Sequence, residues 1–382
     1  MVKLKGITWD HKRGYDPLIQ TTKSFTSLHP SIEIQWNKRS LKEFGDQPVS
    51  KLVEQYDLLL IDHPFIGEAY EKKLFVDLNH HIPEKEMQIC KDNELGNTFS
   101  CYTYNSLQLA LPVDAAAMVC ASRDDLFNHY NLSRPRNLDQ LFAFAQRLPV
   151  GTHIMTTLCP TDIFCIFLSL GGANSGDNFI TREGGIEISS GEFAVDTIRR
   201  LVKISHKKSL ECNPIYALDS MSQSNEILCS PFLFGYVNYS KASEQSTPVQ
   251  FYHPPLWPKA KTATVLGGVG IAVSSYCKNI NEAASYVRYV TAPETQETEY
   301  FTSGGQPGLR CAWVSQANNK ASANFFNNTI EVIENAYVRP RFPGWNRFQE
   351  KGSHLLHQLV LDGKGNSAIV GAMNELFFKE LG

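Results

Sequence analysis

Apolar and polar positions in the first third of the chain alternate between patterns typical of strands and of helices. Residues 4–9 have strand character, and apolar residues within 32–36 occupy every second position, as in a strand with one buried face. Between them, a helix is predicted from about Asp16. The unbroken apolar run 58–61 is typical of a strand buried on both faces of a parallel sheet. This alternation predicts an α/β architecture.

Two later strand-like stretches divide the chain. The first contains Pro112, and because proline is poorly tolerated inside a central strand, we expect the chain to bend or change sheet there. The second, residues 262–274, is interrupted by glycines.

Composition narrows the class of protein. The chain has 382 residues, more than one hydrophobic core usually supports, which also favours two domains. Hydrophobic residues make up 42% and charged residues 20%, a balance typical of globular proteins. A net charge of -3 and a pI of about 6.4 disfavour a nucleic-acid partner, which would favour a basic surface. No apolar run approaches the roughly 18 residues of a membrane-spanning helix.

The cysteines and the first residues bear on localisation. Nine cysteines are an odd number without metal-ligand spacing, and most lie among apolar residues. Reducing compartments tolerate such free cysteines, which favours the cytoplasm, although a disulfide such as Cys90–Cys101 is an alternative. The first nine residues carry charges where a signal peptide has its apolar stretch. Either a leader has been removed, or the protein is made without one.

Several stretches together resemble family 1 extracellular solute-binding proteins, the carbohydrate-binding components of ABC importers. The likeness lies in the order and spacing of these stretches over most of the chain. They are residues 111–114 followed by 122–126, residues 267–274 followed by 281–284, residues 292–296, and residues 304–308. The chain departs from the family at Ala121, near which an aromatic residue is usual.

This resemblance implies a two-lobed, type II periplasmic-binding-protein-like clamshell, with hinge crossovers and a ligand cleft between the lobes. The crossovers imply two discontinuous lobes, lobe 1 with residues 1–112 and 264–312 and lobe 2 with residues 113–263 and 313–382. It implies a small polar ligand such as a sugar, sugar acid or polyol, and a membrane permease as partner. It also implies an extracytoplasmic location, which the absence of a signal peptide in this chain and the nine cysteines leave open. We expect a monomer without a cofactor.

Three strand ends in the first third carry polar clusters, and in open α/β sheets ligands bind at the carboxyl ends of strands. Carboxylates and guanidinium groups suit sugar hydroxyls, and aromatic faces suit the ring. The candidate residues at and after these strand ends are Trp9, His11, Arg13, Arg39, Asp62 and His63, with Asp114 at the crossover. The alternative for two of them is structural, with Trp9 covering the core and Asp62 capping the helix that follows Pro64.

Other candidates come from later in the chain. Tyr236, Asn238 and Tyr239 form the best aromatic cluster, with core packing as the alternative. Gly268, in the glycine-broken stretch, is a further candidate contact. In the turn at residues 304–308 a flexible backbone presents the Gln306 amide as a ligand contact, and a plain turn is the alternative.

A proline-stiffened loop supplies the remaining candidates, Arg341 and Trp345. They suit recognition of an anionic or hydroxyl-rich group, whereas structurally the arginine would bond carbonyl oxygens of the loop. If Arg13, Arg39 and Arg341 converge, the ligand carries a carboxylate or phosphate, as a sugar acid does.

The sequence lacks the signatures of common enzymes. It has no Cys-x-x-Cys, no His-Glu-x-x-His, no glycine-flanked serine nucleophile and no phosphate-binding loop. We therefore predict a binding protein without catalytic or metal-ligating residues. Two alternatives are a cytoplasmic ligand sensor of the same fold, and a glycoside hydrolase using Asp10, Asp62 and Asp114 as acid and base.

Overall fold

A computed structural model describes residues 1–241 and 246–381, with the backbone alone at positions 42 and 46. Residues 242–245 and 382, which belong to the predicted second lobe, lie outside the described residues. The chain divides into two compact units. Unit 1 comprises Met1–Ala116, Gly267–Lys320 and Arg341–Asn346, and unit 2 comprises Ala117–Leu266, Ala321–Pro340 and Arg347–Gly382.

The predicted lobe boundaries differ from these units at residues 113–116 and 264–266, and again after residue 312. Residues 313–320 and 341–346 belong to unit 1 rather than to unit 2. The reason lies in their hydrogen bonds, since Trp313 Nε1 donates to Pro307 O at 2.7 Å and Asn318 Nδ2 donates to Glu297 O at 3.1 Å. Such side-chain to backbone bonds between distant positions leave no periodic signal in the sequence.

The described residues contain twelve strands. They are β1 Val2–Trp9, β2 Ile32–Arg39, β3 Leu58–Ile61, β4 Thr103–Tyr104, β5 Leu107–Gln108, β6 Leu111–Ser122, β7 His153–Ile154, β8 Ile180–Thr181, β9 Gly185–Ile186, β10 Ile227–Phe234, β11 Gln250–Tyr252 and β12 Leu266–Val273.

The same residues contain sixteen α-helices. They are α1 Lys12–Leu28, α2 Leu41–Asp46, α3 Ile66–Glu71, α4 Glu84–Asp92, α5 Asp124–His129, α6 Leu138–Ala145, α7 Pro160–Ser175, α8 Ile188–Ile204, α9 Pro214–Gln223, α10 Ile280–Val290, α11 Pro293–Thr295, α12 Arg310–Val314, α13 Gln316–Ala321, α14 Phe325–Glu334, α15 Trp345–Leu361 and α16 Asn366–Leu381. None of these helices is long and apolar enough to cross a membrane.

Unit 1 is built on a sheet with the strand order β2-β1-β3-β12. The first three strands are parallel, and β12 runs antiparallel to β3. All four residues of β3 are buried, as the unbroken apolar run predicts. Helix α1 covers the sheet with Leu18 and Phe25, and Phe25 packs edge-on against Tyr286 of α10 at 5.3 Å between ring centroids.

Pro112 lies inside a strand and does not interrupt it. Strand β6 runs without interruption from Leu111 to Ser122, with every residue buried. Because Pro112 is the second residue of the strand, its missing N–H falls near the strand start, where proline is tolerated. The change of unit comes only after Ala116.

Unit 2 has its own strands and its own buried helix. The second half of β6 pairs antiparallel with β10 and β11, and β10 pairs in parallel with β7. Helix α7 is buried along nearly its whole length, including the apolar run 163–170. This run is therefore a core helix, as its short length predicts.

Candidate functional site

The parallel strands of unit 1 end at one edge of their sheet. Trp9 and Arg39, the last residues of β1 and β2, are partners in the strand register. Strand β3 pairs with β1 through Leu58 and Gly6, so it ends at Ile61 on the same side. The segments that follow these strands therefore reach a common edge. We call these strand ends, with the residues after them, the strand-end edge.

The first polar pair at this edge is exposed. Lys38 Nζ lies 2.7 Å from Asp10 Oδ1, and both side chains are about half exposed. The backbone N–H of Asp10 also donates to Arg39 O at 2.7 Å, which joins the two strand ends. Solvent screens such a surface pair, so its contribution to stability is small.

His11 caps helix α1 at the same edge. Its Nδ1 accepts a hydrogen bond from the backbone N–H of Arg13 at 3.0 Å. A neutral ring that accepts at Nδ1 carries its proton on Nε2. Burial, together with the positive charges of Arg13 and Lys12, lowers the pKa of His11 to about 4. At neutral pH, His11 is therefore an uncharged hydrogen-bond donor.

Arg13 forms a buried ion pair with Asp114. Its Nε donates to Oδ2 at 2.7 Å, and its Nη2 contacts Oδ1. Burial raises the pKa of the Asp114 carboxyl, whereas the Arg13 guanidinium lowers it. Two-point contact of this kind is the strong form of the arginine–carboxylate pair. It favours a structural role for both residues, which the sequence predicted as ligand contacts.

Arg39 ends β2 as a buried cation, 6% exposed. Its Nη2 donates to Leu60 O at 3.2 Å and its Nη1 to Glu43 O at 3.3 Å, and the guanidinium lies 5.0 Å from the Phe44 ring centroid. Burial lowers the pKa of Arg39 to about 10, so it stays charged at neutral pH. Its role toward a ligand stays a prediction.

Asp62 and His63 follow β3. Asp62 Oδ1 accepts the backbone N–H of His63 at 2.8 Å, which is the capping role that the sequence analysis gave as the alternative. The Asp62 side chain is still 17% exposed, whereas His63 is fully buried, with its ring 6.5 Å from that of Tyr102. Asp62 thus presents a carboxylate at the strand-end edge, and His63 lies beneath it.

Trp9 is a core residue of unit 1, 3% exposed. Its ring lies 5.3 Å from Phe44, and a Cβ at Gly14 would collide with it. The glycine at position 14 therefore lets the first turn of α1 pass over the indole. This packing favours the structural alternative for Trp9.

Two other predicted contacts hold the segment at residues 114–115. Gly268 has φ +105°, and a Cβ there would collide with Asp114 O. Gln306 Nε2 donates to Ala115 O at 2.7 Å, and Ala115 N donates to Gln306 O at 3.3 Å. Both residues therefore have close structural partners in unit 1.

The arginine and tryptophan of the proline-stiffened loop also have internal partners. Arg341 Nη1 donates to three carbonyl oxygens, at 2.9–3.0 Å, of Ser100, Cys101 and Thr103. Trp345 is fully buried. Arg13 bonds a carboxylate, whereas Arg39 and Arg341 bond the carbonyl oxygens of two different segments. Their bonds give no support to a shared anion site.

The aromatic cluster of unit 2 follows β10. Tyr236 is buried, with its ring 6.5 Å from that of Tyr239, and Asn238 is half-buried. The Tyr239 hydroxyl donates to Asp219 Oδ1 at 2.8 Å, and burial together with this carboxylate raises the pKa of Tyr239. Tyr239 thus has the internal partner that packing requires, and ligand contact by this cluster stays a prediction.

Two buried polar residues, Tyr102 and Asp162, are not among the candidates predicted from the sequence. Tyr102 donates to Ile61 O at 3.4 Å, and a Cβ at Gly270 would meet its ring at 2.7 Å. Asp162 lies in the first turn of α7 and is 5% exposed. Tyr102 precedes a short hairpin without any motif, and an acid in a first helical turn is too common to attract notice.

The chemistry of the site is that of hydrogen bonding. Within residues 1–241 and 246–381, no group of three or more His, Cys, Asp or Glu side chains could hold a metal ion. Two of the three carboxylates considered for hydrolysis have cationic partners, Asp10 with Lys38 and Asp114 with Arg13. The strand-end edge offers donors and acceptors for a polar solute.

Solved structures define the class to which this fold belongs. It is similar to maltose-bound T. maritima MalE3, with a TM-score of 0.84 at 18% identity over 99% of this chain and 100% of that chain. It is also similar to an ABC transporter solute-binding protein of Thermotoga lettingae bound with α-D-tagatose, with a TM-score of 0.83 at 16% identity over 100% of both chains. The fold is therefore that of a type II periplasmic binding protein, as predicted.

The sequence comparison identifies the family. Residues 10–297 match the bacterial extracellular solute-binding proteins, and the chain belongs to this family. A relative from Deinococcus radiodurans, a probable ABC transporter-binding protein, is 22% identical over 349 residues, covering 86% of this chain and 79% of the relative. Family membership confirms the prediction of a solute-binding protein rather than an enzyme.

Proposed function

We propose that this chain is the solute-binding component of an ABC importer, and that its ligand is a small carbohydrate or sugar derivative. The match of residues 10–297 to extracellular solute-binding proteins carries the proposal. Two proteins of the same fold, bound to maltose and to tagatose, support the ligand class. The relative described as ABC transporter-binding supports a permease partner.

In this proposal the strand-end edge of unit 1 supplies polar contacts to the ligand. His11 is a neutral donor, and Asp62 is a partly exposed acceptor. Neutral donors and carboxylates suit the hydroxyl groups of a sugar, each of which both donates and accepts.

The proposal keeps three expectations from the sequence. Ligand binding draws the two units together, the protein acts outside the cytoplasm with its permease, and it is a monomer. A fall in the radius of gyration on ligand addition, measured by small-angle X-ray scattering, tests the first. Light scattering during gel filtration tests the last.

Thermal-shift screening of the full chain against sugars, sugar acids and polyols tests the proposed ligand class. A ligand present at 100 times its Kd stabilises the folded protein by about 2.7 kcal/mol, so a true ligand raises the unfolding temperature in a concentration-dependent way. We expect at least one member of the panel to do so. An unchanged unfolding temperature across the whole panel would contradict a carbohydrate ligand.

A further inference from the structure

Unit 2 contains a compact group of two thiols and one carboxyl at the start of α7. Cys159 is the N-cap residue of the helix, and its Sγ donates to Asp162 Oδ2 at 2.9 Å. Cys212 follows the short helical turn Lys207–Glu211 and is 1% exposed. Its Sγ contacts Asn213 O at 3.3 Å. All three groups are thus held by local bonds.

The backbone brings the two cysteines side by side. Cys159 N donates to Cys212 O at 3.3 Å, and the preceding Leu158 N donates to Ser209 O at 3.0 Å. A hydrogen bond between the backbones of two residues keeps their Cα atoms within a few ångströms. That spacing is compatible with the range of about 4.4–6.8 Å that disulfides span. Rotation of the two side chains is then the main movement that bond formation requires.

Exposure also differs between the two thiols in a useful way. Cys159 is half-buried and is therefore the more exposed residue of the pair, whereas Cys212 is 1% exposed. Burial, followed by the charge of Asp162, raises the pKa of both thiols, which disfavours spontaneous thiolate formation. Burial also raises the pKa of the Asp162 carboxyl to about 7, which makes it a stronger proton acceptor than an exposed carboxylate.

We propose that Cys159 and Cys212 form a disulfide when the folded protein meets a disulfide oxidant such as oxidised glutathione. The extracellular setting of the family is one in which disulfides form and persist. The inference concerns covalent chemistry within unit 2 and holds whatever ligand the protein binds.

The reaction balances as a thiol–disulfide exchange in two steps. Cys159 passes its proton to Asp162 Oδ2, and the thiolate attacks one sulfur of oxidised glutathione. The glutathione S–S bond breaks, the departing thiolate takes the proton from Asp162 and leaves as reduced glutathione, and a mixed disulfide remains on Cys159. Cys212 then attacks Cys159 Sγ, and its proton passes to the departing glutathione thiolate as the mixed disulfide breaks. The second reduced glutathione leaves, so that two protein thiols are oxidised and one glutathione disulfide is reduced.

Two other cysteines provide a matched control. Cys120 and Cys229 lie on the adjacent strands β6 and β10, but Cys229 is in register with Ser122 rather than with Cys120. Both are buried, at 2% and 1% exposure. They are therefore close in space but inaccessible to an oxidant, and we expect them to stay reduced.

The test oxidises the reduced full chain with oxidised glutathione under native conditions, blocks free thiols, and analyses intact protein and peptides by mass spectrometry. We expect the number of free thiols to fall from nine to seven, with the Cys159 peptide linked to the Cys212 peptide. Cys159→Ser and Cys212→Ser should each prevent this link. Cys120→Ser and Cys229→Ser should leave it intact.

Three results would overturn the inference. They are nine free thiols after oxidation, a stable glutathione adduct on Cys159 without closure, and a different cysteine pair. Circular dichroism of each variant before oxidation establishes that it is folded. A denatured sample oxidised in parallel establishes that all the thiols can react.

Discussion

The two units each bury an aspartate, but they satisfy it in different ways. In unit 1, Asp114 is met by Arg13 through two atoms. In unit 2, the carboxyl of Asp162 accepts a hydrogen bond from the thiol of Cys159. Burial raises the pKa of both carboxyls, but only Asp114 has a cation that opposes the shift. Asp114 is therefore held as one half of an ion pair, whereas the Asp162 carboxyl, with a pKa of about 7, is partly protonated at neutral pH.

This difference predicts that replacing the aspartate by asparagine changes the free energy of unfolding in opposite directions at Asp114 and at Asp162. A charge removed from a buried pair leaves its partner uncompensated, whereas a charge removed from a lone buried carboxylate relieves a desolvation cost.

The largest expected effect is that of Asp114→Asn. The variant leaves the Arg13 guanidinium buried without its anion, and we expect a loss of about 3–5 kcal/mol in the free energy of unfolding. Urea denaturation measures this loss in the free energy of unfolding. Asp10→Asn, which removes the exposed partner of Lys38, is the matched control and should leave the urea midpoint nearly unchanged. Equal behaviour of the two variants would show that the buried pair is not what holds this part of unit 1.

Asp162→Asn should have the opposite sign and depend on pH. The ordinary pKa of 3.8 applies in the unfolded chain, and the folded value is about 7. Between these values the folded protein binds more protons than the unfolded chain, so its stability falls as pH rises and then levels off. The difference corresponds to at most about 4 kcal/mol. We expect the variant to be more stable than the parent at pH 8 and equal to it at pH 4, by thermal or urea unfolding. A variant less stable at pH 8 would contradict this account.

A smaller effect tests whether the backbone of Asp114 is held as firmly as its side chain. Gly268→Ala forces a Cβ against Asp114 O at a φ of +105°. We expect a loss of about 2–3 kcal/mol in unfolding free energy. Gly363→Ala is the control, because Gly363 has φ +69° with no atom near its Cβ, and should lose only about 1 kcal/mol. Equal losses would mean that the contact with Asp114 is unimportant.

Most of the fold could be predicted from the sequence, because the strands and helices follow local patterns of apolar and polar residues. The apolar run 58–61 predicted strand β3. Because β1, β2 and β3 are parallel, their carboxyl ends lie at one edge, and His11, Arg39 and Asp62 lie at or just after these ends. Pro112 does not interrupt β6, because one missing N–H near a strand start is tolerated.

The hydrogen-bond and ion-pair partners of the polar residues could not be predicted from such local patterns. Arg13 and Asp114 are 101 positions apart, and no local pattern joins them. Each was therefore assigned to a ligand, although their bonds favour a structural role. Asp162 was overlooked because burial of its carboxyl depends on packing around α7, which only the folded unit supplies.

The central claim is that a small carbohydrate binds through the strand-end edge of unit 1. Isothermal titration calorimetry, using a ligand found in the thermal-shift panel, tests it most directly with two matched variants at opposite ends of β3. Asp62→Asn alters the candidate edge, whereas Asp57→Asn alters the far end, where Asp57 Oδ2 accepts the Lys5 N–H at 2.8 Å. We predict that Asp62→Asn raises Kd by about 10-fold or more, as loss of a charged hydrogen-bond acceptor does, and that Asp57→Asn leaves it unchanged. Unchanged affinity in Asp62→Asn, or an equal loss in both variants, would contradict the claim.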